Sequence, residues 1–193
     1  MSELPSKGSP VRADDEYQAM RATIRERGTA RMVLIPFIFI GWAGTAVATA
    51  AVITVAMATL VPLLVLVAGF EAVFALHLNV ERIGRYLQVF HEPEDGWERV
   101  AMRFGQQFPG TGPDPLFSRT FLLATSVNFL PAALGGAVPE LVIIAILHLI
   151  FINRVRMARA FAATQRARDL ERFEALYRQR TQPTPELDGP ASG

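Results

Sequence analysis

The sequence predicts an all-α, polytopic membrane protein: four transmembrane helices in two antiparallel hairpins, with amphipathic cytoplasmic helix extensions. Three observations carry that reading. From Met32 to Phe70, 39 consecutive residues carry no charged side chain, and Thr120 to Asn153 adds 34 more interrupted only by Glu140. A hydrocarbon core about 30 Å thick takes roughly 20 helical residues, so each stretch is sized for two crossings. All 19 Lys and Arg residues lie outside both stretches, dividing 6, 5 and 8 among the segments before Met32, from 80 to 119, and after Asn153. The positive-inside rule assigns those three segments, both termini included, to the cytoplasmic face of the cell membrane.

Composition narrows the class further. The chain has 193 residues, 51% of them hydrophobic, and a formal net charge of +1. That balance gives no global attraction to nucleic acid, which is not expected as a partner. All but one of the basic residues are Arg, a bias that follows GC-rich codon usage more simply than phosphate recognition. With no Cys, disulfides, thiolate metal sites and thiol nucleophiles are excluded. The first apolar block starts behind a charged leader and lacks a small-residue cleavage site after a short apolar run. It reads as a retained span rather than a signal peptide.

Residues 1–13, with Pro5, Gly8 and Pro10, and residues 182–193 have the composition of disordered tails. Between the first tail and the first span, residues 14–31 read as an amphipathic interfacial helix. Asp14, Asp15 and Glu16 open it, Tyr17, Met20 and Ile24 form its stripe, and Gly28 ends it. Span 1 is expected over about 33–57, with small residues such as Gly44 and Ala48 permitting close helix contact. Pro62 belongs in a first helical turn, which places span 2 at about 61–80. That helix should continue into the cytoplasm, where Val80, Ile83, Leu87 and Phe90 form an apolar stripe beside a Glu81/Arg85 pair.

Pro93 stops it. Trp97, Val100, Ala101 and Phe104 then share one face of a short helix, a pattern suited to an interfacial anchor. Asp114 and Pro115 read as cap and first residue of span 3, about 116–134, with Arg119 snorkelling from its cytoplasmic end. Gly135-Gly136 turns the chain, and Pro139 with Glu140 restarts it as span 4, about 139–153. An Arg-rich extension follows, with Leu170, Phe173 and Tyr177 in a stripe and Glu174/Arg178 as an i, i+4 pair. At an offset of 71, Leu76-His77-Leu78 matches Leu147-His148-Leu149 and Arg85 matches Arg156. The match suggests a degenerate two-span repeat.

Ionisable groups inside membranes are functional candidates because they are costly there. Glu71 lies about 16 Å deeper than Arg82 along the helix, and Asn128 about 13 Å deeper than Arg119. The two should meet near the midplane, with Glu71 neutral for want of a basic partner within the spans. His77 and His148 should share a shallower layer with Thr125. These five form a candidate intramembrane polar or ion site, read either as interhelical hydrogen bonding or as proton or cation handling. No metal ligand set is expected, since the histidines lack the spacing of a zinc motif. No cofactor is expected either, and no serine has triad partners at motif spacing.

The reading is of a non-enzymatic membrane protein, embedded in the lipid bilayer, that acts by oligomerisation or as an accessory subunit. The apolar stripes of helices 80–91 and 155–180 are the expected contact surfaces, against each other or a second protein. The alternative is a small oligomeric channel or proton-coupled transporter using Glu71.

Overall fold

The computed structural model describes residues 10–93, 95–108 and 114–182, with side chains from Asp14 onward. The two tails lie largely outside that range, as does most of the Pro109–Pro115 turn. Among the described residues the chain is all-helical. The elements are α1 (Pro10–Val52), a short 3₁₀ turn (Ala56–Thr59), α2 (Leu60–Phe90), α3 (Trp97–Gln107), α4 (Ser118–Gly135) and α5 (Val138–Thr181). Three helices are long and apolar enough to cross a membrane: Asp14–Val52, Ala56–Phe90 and Val138–Thr181. The fourth expected crossing, α4, is not among them, because 18 residues that include Arg119 and Asn128 dilute its apolarity.

Two helix boundaries correct the sequence reading. No break occurs at Gly28: α1 starts at Pro10 and runs straight on into the first apolar block. One glycine costs a helix only about 1 kcal/mol, and residues 14–31 repay it by packing along α2. Tyr86 donates to Glu16 at 2.8 Å, and Arg21 pairs with Glu92 and, at 3.0 Å, with Glu98. This segment therefore continues the axis of the span rather than lying flat beside it. At the other end α1 stops at Val52, short of the expected Met57, and α2 begins at Leu60 with Pro62 in its first turn.

Helix α4 starts at Ser118, three residues after the Pro115 that its sequence signals imply. Pro115 and Leu116 form a turn, and Phe117 adopts a left-handed conformation at φ 51°. Asp114 still satisfies the entry, accepting from the backbone N–H of Leu116 and of Arg119, each at 3.2 Å. The left-handed residue costs about 1–2 kcal/mol. It turns the chain so that Leu116 is fully buried in the core.

The core is a cluster of aromatic rings where the helices converge. Phe70 of α2 meets Phe121 of α4 at 5.2 Å and Phe151 of α5 at 5.9 Å, and Phe39 of α1 reaches Phe121 at 5.3 Å. Helices α1 and α2 pack tightly at Gly69, where a Cβ would overlap the Ile38 side chain. The expected contact glycine, Gly44, faces open space instead.

Register along α2 and α5 is set by ion pairs. Glu71 pairs with Arg154, Glu81 with Arg166, and Arg82 with Asp169. The sequence separation stays nearly constant, at 83 for the first and 87 for the last, so the two helices run in the same direction. Further down, Phe90 packs against Tyr177 at 5.7 Å and Phe173 against Tyr86 at 5.7 Å. The two apolar stripes thus meet within one chain. Glu81 and Arg85 do not pair along their own helix, since Arg166 and Glu98 supply closer partners.

Candidate functional site

The candidate residues separate into three polar levels stacked along the bundle. The outer level is built on Asn128, which is buried on α4. Its Nδ2 donates to the Thr59 carbonyl at 2.9 Å and lies 3.1 Å from His148 Nε2, and its Oδ1 accepts from Trp42 Nε1 at 3.2 Å. His148 Nδ1 lies 2.8 Å from the Ile144 carbonyl, so it must carry the proton and leave Nε2 as acceptor. The arrangement needs a neutral imidazole and uses both carboxamide protons. Thr125, fully buried one helical turn away, returns its hydroxyl to the Phe121 carbonyl at 2.7 Å. It lines a groove of about 320 Å³ beside His148.

The middle level is Glu71. It does not meet Asn128, and that expectation is corrected. Asn128 bonds to Thr59, just before α2, whereas Glu71 lies 11 residues into that helix, about 17 Å further along its axis. The Glu71 carboxylate instead accepts from Arg154 Nη2 at 2.8 Å. The Arg154 guanidinium also sits over the Phe74 ring, 4.5 Å from its centroid. A basic partner is therefore present, and the argument for a neutral Glu71 falls. Arg154 follows the boundary residue Asn153 directly, so reading the apolar block as the whole span placed it outside. Its side chain points back toward the helix N-terminus, as helical side chains do, and that returns it to the Glu71 level.

The inner level is His77, buried on α2, with Arg31 Nη1 3.4 Å from its Nδ1. Arg can only donate, so Nδ1 accepts. Glu81 and Arg166 lie just below, 2.6 Å apart. The two histidines do not share a layer. His148 lies six residues before Arg154 and His77 six after Glu71, so they are about 18 Å apart in depth. The offset-71 sequence match therefore does not correspond to equivalent depths.

Beneath these levels, α3 docks on a four-charge cluster. Arg85 Nη1 donates to Gln88 at 2.6 Å and Nη2 to Glu98 at 3.4 Å, while Arg21 bridges Glu92 and Glu98. Burial lowers the Arg85 guanidinium from its ordinary value, opposed by the Glu81 and Glu98 carboxylates. The opposite face of α3, with Trp97, Val100 and Phe104, is exposed.

Sequence reasoning missed Trp42, Arg154, Arg31 and the Thr59 carbonyl as members of these levels. Trp42 alone left a signal, as the sole indole N–H within the first apolar block. Among the described residues no group of three or more His, Cys, Asp or Glu side chains converges as a metal site would. No protein-family model, curated protein or solved structure matches the chain.

Proposed function

We propose that the protein is a non-enzymatic integral membrane protein that acts by association, as a homo-oligomer or as the accessory subunit of a larger membrane assembly. The carrying observation is the Glu71–Arg154 pair. Four crossings, with α4 as the third, would place it inside the hydrocarbon core, about 9 Å outward of the His77 level. Yet the two side chains are 44% and 36% exposed on the flank of α2 and α5, beside the exposed Met157 and Phe161. An ion pair left against lipid is costly. A protein neighbour on that flank removes the cost.

Both termini are cytoplasmic in this reading, and the turns at Thr59 and Gly136 face the outside. Its support is the distribution of Arg, and the segregation of ion pairs to the end of the bundle that holds α3.

The same exposed pair supports the second reading, a small oligomeric channel or proton-coupled transporter with several Glu71 side chains facing a shared path. Against it, the polar levels within one chain are separate, about 17 Å apart between Asn128 and Glu71 and about 9 Å between Glu71 and His77.

Light scattering in mild detergent tests association: more than one chain per particle is expected, and a strictly monomeric particle overturns self-association. Glu71→Gln separates the two readings. A scaffold keeps its oligomeric mass and shows no ion flux in liposomes before or after the change. A channel keeps its mass and loses a flux that the parent shows.

A further inference from the structure

The most distinctive unassigned feature is a cavity at the end of the bundle opposite the Arg-rich segments. It arises because α2 starts late. Asn128 marks the level at which α2 begins, through its bond to Thr59. Helix α1 has Gly41 beside Val65, a few residues into α2, so only about its last six residues, to Val52, pass that level, as α4 does from Asn128 to Gly135. At 1.5 Å per residue, both run on for roughly 10 Å with no α2 between them. The space left is about 580 Å³, within the usual range of ligand sites. Ala43, Ala46 and Ala50 form one wall and Val127 with Pro131 the other, while the connection from Ile53 to Thr59 closes a third side.

Two properties define what fits. The lining contains no charged residue. Its polar groups at the inner end are also already used: the Trp42 indole donates to Asn128, whose carboxamide is taken up by Thr59 and His148. Thr49 likewise returns its hydroxyl to the Thr45 and Ala46 carbonyls. A ligand's deep end therefore meets no free donor or acceptor and must be apolar. Exposed Val47, Val52 and Leu134 extend the apolar surface outward around the cavity, so the phase that reaches it from the side is hydrocarbon.

We propose that this cavity is a lipid site holding one acyl chain of an outer-leaflet phospholipid, its methyl end against Trp42 and its headgroup beyond Thr54. The chain supplies the dispersion contacts that the alanine-rich wall cannot make across the gap. The inference rests on α1 and α4 crossing the membrane and not on self-association.

Trp42 is a built-in reporter. The chain has two tryptophans, so Trp97→Phe leaves Trp42 alone. In nanodiscs of phosphatidylcholine doped with lipid brominated near the methyl end of one chain, Trp42 emission should be quenched saturably at low brominated fraction. Filling the cavity with Ala46→Leu and Ala50→Leu should abolish the saturable component while helicity and melting temperature are kept. If the double variant folds poorly, Ala50→Val alone should weaken it. Quenching that rises in proportion to brominated lipid, equally in parent and filled variants, means bulk-lipid contact and overturns the site. Quenching that disappears as protein density rises means a second copy fills the space, which also overturns it. Emission quenched by aqueous acrylamide and not by bromine puts Trp42 in water, and the four-crossing topology falls with the inference.

Discussion

Asn128 shows how one side chain can hold a membrane bundle together. Its carboxamide joins α1 through Trp42, the end of the 3₁₀ turn through Thr59, and α5 through His148. Each such bond within a bilayer contributes about 1 kcal/mol, and leaving several partners unpaired at once costs more. Asn128→Leu should therefore destabilise the protein by about 2–3 kcal/mol in detergent unfolding. A parent-like midpoint would mean that water or lipid satisfies these groups instead. Glu71 behaves differently, because its partner is a charge on the bundle flank. Its position along α2 was legible in the sequence. Its partner was not, since Arg154 is reached only once α5 lies alongside α2 in parallel register.

At the scale of elements, the helix extensions were readable as stripes, and their meeting was not fixed by either stripe alone. Phe90 and Tyr86 close onto Phe173 and Tyr177 because Arg82–Asp169 and Glu81–Arg166 set the register above them. Replacing Phe173 and Tyr177 with Asp removes three ring contacts, worth about 2–4 kcal/mol together beyond their buried area. The variant should lose helix content or melt earlier by circular dichroism. A parent-like melting curve would show that the α2 and α5 extensions are held by their ion pairs alone. The α1 extension carries the opposite lesson. Gly28 and a three-residue stripe suggested a separate surface helix, and what overrides them is long-range: Glu16 and Arg21 find partners 70 or more residues away. Phe117 likewise breaks a sound local cap signal, because seating Leu116 in the core outweighs the strain of one left-handed residue.

For the whole molecule, topology is the property most open to direct test. Reporter fusions at Thr59 and Gly136 should behave as extracytoplasmic, and one after Thr181 as cytoplasmic. A cytoplasmic signal at Gly136 with an extracytoplasmic one at Thr59 would show that α4 does not cross. That outcome would leave the three longer helices as the only spans.

The sequence by itself determined the helical class, the apolar blocks, the turn at Gly135–Gly136 and the apolar stripes of the helix extensions. Each of these depends on hydropathy, periodicity or local turn chemistry, which act over a few residues. Only the tertiary structure decided that Asn128 joins His148 rather than Glu71, that the two histidines lie on different levels, and that a cavity opens above α2. Those outcomes depend on where one helix starts relative to its neighbours. A shift of a few residues along an axis moves a side chain by about 1.5 Å per residue, enough to exchange one hydrogen-bond partner for another. Nothing in the local pattern of either helix records that offset.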